Sequence, residues 1–399
     1  MTNIDEIGTR GFGVTSNRSV CLECLRDRGL IRETSRLITE RSCSFCGRTA
    51  AAHEPPIAAD FNAFMRVVMA GVYFVYNHAG NEGVPRNHGD WVGAPIFDSE
   101  DVIEDVCGNA VNDDVLEAIM EAVGWEDWTH RRFQQLRPDQ AMRLGWTEFC
   151  RKVKHEARFV FMSIPQEPSY KPDSFTATEF LTKFVDIIAT TGVLLPVPAG
   201  RVFWRGRLID STRPPAYSAA ALGSPPAETA SANRMSPAGI SMFYGSDDVE
   251  TAVAEIGAHS TKRYAAVGAF ETVRPLTLLN LAALPEVPSL FDSVPRANYY
   301  DLRFLHAFAE DLRKPVVLDG REHIEYVPTQ VVTEYLRWIS TEQIDGILFR
   351  SAQTDGMSCV IFCDATGCAD PGRENESTYL SYMPGTGRVV KVVPHAIEL

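Results

Sequence analysis

The sequence predicts an α+β protein, with a mostly helical N-terminal part followed by a part that mixes short strands and helices. Three observations carry this. Two Cys-x-x-Cys pairs stand near the N-terminus, and apolar residues then recur at helical spacing up to about residue 192. From there the texture changes to short β-branched and aromatic runs punctuated by proline and glycine. At 399 residues the chain is too long for one typical core. The division expected is a cysteine segment over 1–55, a helical domain over 56–192 and a mixed domain over 200–399.

The first element reads Cys-Leu-Glu-Cys, eighteen residues, then Cys-Ser-Phe-Cys. Each pair can place two thiolates on a tight knuckle, and two knuckles close a tetrahedron around Zn²⁺. Cys21, Cys24, Cys43 and Cys46 are therefore the expected ligands. Four thiolates leave no open position, so the ion would be structural. The arginines nearby (Arg26, Arg28, Arg32, Arg36, Arg41 and Arg48) are interleaved with acids, and a solvated face is favoured over a nucleic-acid surface.

Four helical stretches follow, read from Phe61, Phe64, Met65, Val68 and Val72; Val115, Leu116, Ile119 and Val123; Trp146, Phe149, Cys150, Val153, Ala157 and Phe161; and Phe180, Leu181, Phe184 and Ile188. Pro196 and Pro198 mark the change of texture. A strand is expected at Val202–Trp204 and an exposed loop at Ser211–Ala232. Next come a strand at Ser241–Tyr244 and a helix at Val249–Ile256, then strands at Tyr264–Val273 and Leu276–Leu281. Helices near Leu302–Leu312 and at Thr329–Ile339 precede buried strands at Ile347–Phe349 and Cys359–Phe362, with a last strand at Arg388–Val393. The absence of regular βαβ alternation argues against a doubly wound sheet.

Composition narrows the function classes. The formal charge of −14 argues against a general nucleic-acid or anionic-membrane surface. The longest apolar stretch, near Met65–Tyr76, falls short of the roughly 20 residues a membrane span needs, and the N-terminus shows no signal-peptide pattern. The five remaining cysteines, at 107, 150, 359, 363 and 368, are scattered and odd in number, which fits a reducing cytoplasm better than a disulfide framework.

Four short pieces stand in order in the C-terminal part: Phe203-Trp204-Arg205-Gly206-Arg207; Asn233-Arg234-Met235-Ser236-Pro237-Ala238-Gly239 leading to Phe243-Tyr244; Glu255 closing a helix; and Asp345-Gly346-Ile347-Leu348-Phe349-Arg350-Ser351. With Tyr326-Val327-Pro328-Thr329-Gln330, they resemble the RES-domain family, toxin-like enzymes that degrade NAD⁺ on a variant of the ADP-ribosyltransferase fold. The resemblance covers about residues 200–365. The N-terminal half resembles the HEPN/RES N-terminal domains often fused ahead of RES domains, on its cysteine pairs and on the run Phe149–Phe159. Many RES domains carry an asparagine-bearing turn where this chain has Asn233-Arg234-Met235-Ser236, and the loop ahead of it is long.

The resemblance implies cleavage of the nicotinamide–ribose bond, with NAD⁺ as a consumed substrate. It makes Arg205, Glu255 and Ser351 the expected catalytic residues, and Arg205, Arg234, Tyr244 and Ser351 the expected NAD⁺ contacts. The chemistry suits these residue types. A guanidinium grips a pyrophosphate with forked, charge-assisted hydrogen bonds. A carboxylate stabilises the positive charge that develops on the ribose carbon. Tyr244 can stack on nicotinamide or bond a ribose hydroxyl. Ser351, at a strand end, is expected to contact phosphate or ribose and not to act as nucleophile, since no histidine is placed as its base. The ordinary readings are surface ion pairs for the arginines, a solvated glutamate, a core tyrosine and a turn serine.

By the resemblance, inorganic phosphate is ranked first as acceptor, giving ADP-ribose 1″-phosphate. Water is second and a macromolecule third. NAD⁺ loss is toxic, so an inhibitor, an antitoxin or a phage-defence trigger acting through the N-terminal domain is expected. Of another class altogether is a zinc-containing module that binds a nucleotide without turnover. Three arginine–histidine pairs (Arg48/His53, Arg151/His155 and Arg388/His395) are discounted as ribonuclease motifs by spacing or context. The oligomeric state is left open.

Overall fold

The structure is a computed structural model that describes residues 11–13, 17–164, 175–213, 216–258, 260–314 and 320–392. The chain divides into two compact units, Met1–Arg137 with Glu286–Tyr300, and Pro138–Pro285 with Asp301–Leu399. This differs from a division near residue 192. The helices over 138–190 carry Trp146, Phe180 and Phe184, whose rings meet Phe304 and Phe308 of the second unit, and Phe149, which packs on Phe180. Helical periodicity reports that a face is buried but not which partner buries it.

In the first unit, strands β1 (Ser19–Cys21), β2 (Ile38–Glu40) and β3 (Ala58–Asp60) form an antiparallel sheet in the order β1-β3-β2. Helices α1 (Arg28–Ser35), α2 (Phe61–Val75), α3 (Ser99–Cys107) and α4 (Asp113–Val123) accompany it. Each starts where an Asx side chain accepts a backbone N–H of its first turn: Asp27, Asp60, Asp98 and Asn112. Small two-stranded ribbons pair β4 (Tyr76–His78) with β7 (Trp128–His130) and β5 (Arg86–Asn87) with β6 (Asp90–Trp91). Phe291, from the returning segment, is buried in this core beside Phe64, Val68 and Trp128.

The second unit opens with helices α5 (Pro138–His155) and α6 (Ala177–Thr190). A large, mostly antiparallel sheet follows. Its strands are β8 (Leu194–Val197), β9 (Val202–Ile209), β10 (Phe243–Ser246), β11 (Tyr264–Thr272), β12 (Leu276–Asn280), β13 (Gly346–Arg350), β14 (Met357–Ile361), β15 (Cys368–Ala369), β16 (Leu380–Tyr382) and β17 (Arg388–Lys391). The order is β15-β16-β11-β9-β10-β14-β13-β12-β8, with β17 sharing the edge of β11 with β16. One face buries Phe203, Phe243, Phe270, Leu278 and Ile361. Further helices are α7 (Ala219–Leu222), α8 (Val249–Gly257), α9 (Tyr299–Arg313), α10 (Glu322–Glu325) and α11 (Val327–Trp338). Helix α8 packs on β9, and α11 packs on α5 and α6.

Two expectations need correction. The stretch Ser211–Ala232 is not simply an exposed loop. Ser218 caps the short helix α7, whose Ala219 and Leu222 are buried against the sheet, and Ser224 is buried too. Alanine-rich sequence lacks a periodic signal, yet small side chains fit close to a sheet. Strand β9 also runs five residues beyond Trp204, through a stretch whose charges face a cleft. His395 and the end of the expected last strand, Val393, lie outside the described residues. No helix among the described residues is long and apolar enough to cross a membrane.

Candidate active site

The cleft forms where the sheet opens. Among the described residues, β9 and β10 pair only at Ser246 with Trp204, whereas β9 follows β11 along its whole length. The gap between the diverging strands holds a cavity of about 250 Å³, walled by Arg205, Arg207, Tyr244, Glu255, Phe349 and Ser358 among others.

Residues on β9 alternate between faces, so Arg205 and Arg207 share one side with Phe203. Arg205 Nη1 donates to the Tyr244 carbonyl at 2.6 Å, which ties the two strands across the opening. Its guanidinium lies 5.2 Å from the Phe243 ring centroid. Burial, with the neighbouring Arg207 charge, lowers the Arg205 pKa to about 10, so it stays protonated at neutral pH. Its Nε is buried and has no hydrogen-bond partner among the described residues. A buried donor left unmade costs about 1–3 kcal/mol, which an acceptor on a bound ligand would recover. Arg207 donates to the Gly223 carbonyl at 3.1 Å, and burial lowers its pKa as well.

Helix α8 delivers the carboxylate. Asp248 caps it through Thr251 N at 2.7 Å. Gly206 lets it approach β9, since a Cβ there would stand 2.7 Å from Ile256 Cδ1. Glu255 then reaches the cleft, and its Oε1 accepts from Ser351 Oγ at 2.5 Å. Ser351 itself is 1% exposed and is not part of the cleft wall. Its oxygen also accepts the backbone N–H groups of Gln353 and Thr354, at 3.0 and 3.2 Å. Its donor and both acceptor positions are thus taken within the protein, and the donated bond orients Glu255. Gly346 belongs to the same run for a backbone reason, because a Cβ would meet the Val360 carbonyl at 2.3 Å.

Tyr244 is held from the other side. Its hydroxyl lies 2.9 Å from Ser236 Oγ, and burial raises its pKa, which keeps the phenol neutral. Ser236 ends the turn begun at Asn233. The start of α11 grips this turn: Gln330 Nε2 donates to the carbonyls of Asn233 (2.8 Å) and Ser236 (3.2 Å), and Thr329 donates to that of Arg234.

Residues 204–380 match the family model for the RES domain, and residues 37–167 match that for HEPN/RES N-terminal domain 1. The C-terminal part of the chain carries a RES domain. No curated protein matches it. Among solved structures, a chain of the M. tuberculosis MbcT-MbcA toxin-antitoxin complex is similar at 14% identity, covering 53% of this chain and 92% of that one, with a TM-score of 0.28.

Within the RES domain, the cleft brings together Arg205, Tyr244 and Glu255, with Ser351 behind the carboxylate. Arg234 goes elsewhere. Its guanidinium donates to the carbonyls of Leu312 and, at 2.8 Å, Lys314, closing the C-terminal end of α9, and it lines a different cavity with Trp146, Lys154 and Tyr326. Sequence reasoning missed Arg207 and Gln330. The expected strand ended at Trp204, so nothing aligned Arg207 with Arg205, and Gln330 had no signal beyond the family pattern.

In the N-terminal part, the four cysteine sulfurs lie within 4.8 Å of one another. The separations Cys21–Cys24 (3.7 Å), Cys21–Cys46 (3.5 Å) and Cys24–Cys43 (3.7 Å) approach the edge of about 3.8 Å that a tetrahedron with Zn–S bonds of about 2.3 Å requires. Four thiolate donors in that shape fit zinc. The six nearby arginines all have partners: Asp113, Glu286, Asp292, Glu33 and Glu23 pair with Arg26, Arg28, Arg32, Arg36 and Arg48, and Arg41 donates to the carbonyls of Ala51 and Glu54. Arg151 is likewise taken up by Glu148 and Glu156.

Proposed function

We propose that the RES domain binds NAD⁺ in this cleft and breaks its nicotinamide–ribose bond. The observation that carries the reading is Glu255, aimed at the cavity by Ser351 while Arg205 and Tyr244 line the same space. A cavity of about 250 Å³ is small for a whole dinucleotide, given usual ligand pockets of about 300–1,000 Å³. It suits the nicotinamide and ribose, with the adenosine end at the mouth. The free Nε of Arg205 takes a pyrophosphate oxygen, with Arg207 adding charge beside it. Tyr244 stacks on nicotinamide or holds a ribose hydroxyl. As the bond to nicotinamide lengthens, the ribose carbon turns positive, and the Glu255 carboxylate stabilises that charge and holds the ribose hydroxyls. The acceptor then attacks the opposite face of the carbon.

Inorganic phosphate ranks first as acceptor, with ADP-ribose 1″-phosphate as product; water ranks second and a macromolecule third. Zn²⁺ on the four cysteines is structural in this reading. The protein works as a toxin or defence effector in the cytoplasm, restrained by an inhibitor or trigger that acts through the N-terminal domain. The test is purified full-length protein with NAD⁺, with and without phosphate, and products identified by mass. Nicotinamide with ADP-ribose 1″-phosphate only when phosphate is present supports phosphorolysis. Free ADP-ribose in both samples makes the enzyme a hydrolase. Binding of NAD⁺ with no turnover under either condition would favour a nucleotide-binding module instead.

A further inference from the structure

Behind the cleft lies a second group of reactive side chains that the proposed reaction does not use. Ser224 is 2% exposed, and its Oγ donates to the Cys363 carbonyl at 3.0 Å. The same oxygen lies 3.5 Å from Cys368 Sγ and 3.9 Å from Cys363 Sγ, and the Ser224 N–H donates to Cys368 Sγ at 3.5 Å. Both sulfurs thus lie within 3.9 Å of one hydroxyl oxygen. The chain between them turns back through a 3-10 segment, Ala365–Gly367, capped by Asp364. The two sulfurs are therefore held together by a turn on one side and by Ser224 on the other.

They are also unequal. The neighbouring Cys363 thiol, the Ser224 N–H and hydroxyl and the charge of Arg205 bring Cys368 down to about 6, and Cys368 is only half-buried. Cys363 is fully enclosed, and its own pKa rises. This is the arrangement of a nucleophilic thiolate beside a resolving thiol. By contrast, burial pushes Cys150 up to about 12 and raises Cys107 and Cys359 as well.

We infer that Cys363 and Cys368 form a peroxide-sensitive dithiol whose closure to a disulfide weakens NAD⁺ binding in the adjacent cleft. The Cys368 thiolate attacks one oxygen of hydrogen peroxide. The O–O bond breaks, giving a sulfenic acid, and the departing hydroxide takes a proton to become water. The Cys363 sulfur then attacks the sulfenic sulfur. The S–O bond breaks, and hydroxide leaves and picks up the Cys363 proton as a second water. Two thiols are oxidised by two electrons and one peroxide is reduced.

The coupling to the cleft runs through Ser224. An S–S bond of about 2.05 Å draws Cys368 Sγ away from the Ser224 N–H and hydroxyl. The neighbours of Ser224 are Gly223, whose carbonyl holds Arg207, and Pro225, which walls the cleft. Oxidation also removes the negative charge facing Arg205. The loss of one hydrogen bond at this wall corresponds to a rise of about 3- to 10-fold in KM for NAD⁺. The effect on KM rests on the proposed function, whereas formation of the disulfide does not.

The experiment treats the full-length protein with hydrogen peroxide, alkylates it and digests it with trypsin. The peptide Ser351–Arg373 carries Cys359, Cys363 and Cys368. The expected product is two hydrogens lighter, linked between Cys363 and Cys368, alkylated at Cys359 and restored by dithiothreitol. In Cys363→Ser, dimedone should trap a sulfenic acid on Cys368. In Cys368→Ser, neither position should oxidise and KM should no longer respond to peroxide, which separates this effect from any damage at the zinc cysteines. Full alkylation of all three, or a link through Cys359, would overturn the dithiol. A disulfide with unchanged KM would overturn its coupling to the cleft. If the reduced protein never consumes NAD⁺, the proposed function fails while the peptide masses still decide the dithiol.

Discussion

Ser351→Ala tests how the carboxylate is aimed. The substitution removes the donor to Glu255 Oε1 and the acceptor of the Gln353 and Thr354 N–H groups. A hydrogen bond to a charged group contributes about 1.5–3 kcal/mol. If all of it acts on the transition state, kcat/KM for NAD⁺ falls by about 10- to 150-fold. The two freed N–H groups sit at a half-buried turn that water can reach in part, and their loss of an acceptor should lower the folding stability by about 1 kcal/mol. The assay is steady-state NAD⁺ consumption beside a thermal melt, with Glu255→Gln as reference. Glu255→Gln should lose more activity, because it removes the charge itself. Wild-type kcat/KM in Ser351→Ala would show that Glu255 needs no such support. A loss as deep as that of Glu255→Gln, with an unchanged melt, would mean that Ser351 meets the reacting atoms directly. Either result refutes a positioning role.

Two further predictions concern residues outside the cleft. Purified protein should carry one zinc per chain by elemental analysis. Cys24→Ser or a strong chelator should unfold the surrounding β1–β2 region, because structural zinc supplies folding energy on the order of 10 kcal/mol; a metal-free protein with an unchanged melt would refute this. Arg234→Ala should lower stability by about 1–3 kcal/mol, through the freed carbonyls of Leu312 and Lys314, while leaving KM for NAD⁺ within about threefold of wild type. A tenfold rise in KM at unchanged stability would return Arg234 to the substrate site.

The sequence was most informative where local chemistry dictates structure. The cysteine quartet is such a case, since each knuckle is local and only the closure of the two is not. Helices α2 and α4 were read from their apolar spacing, whereas the shorter α1 and α3 were not, since eight or nine residues carry few repeats to show a period. Helix α8, equally short, was nonetheless read nearly to its ends from Val249, Ala252, Val253 and Ile256. Strand β9 was not. Its length depends on eight residues pairing with β11, and no signal in Arg205-Gly206-Arg207 announces that partner. The burial of α7 was hidden for a related reason, since alanine is compatible with both solvent and a sheet face.

For the site, the family resemblance was enough to propose Arg205, Tyr244 and Glu255, and the fold sets all three around one opening. The hydrogen-bond partners of Ser351 and Arg234 were beyond the reach of the sequence. Ser351 looks like a ligand contact at a strand end, and only the tertiary structure turns its hydroxyl inward to Glu255. Arg234 looks like a phosphate ligand, and only the position of α9 gives it two carbonyls to hold. A one-dimensional pattern specifies which groups are present and which neighbours they meet within a turn. What a long side chain bonds to is decided by segments tens of residues away, when packing brings them within about 3 Å of it.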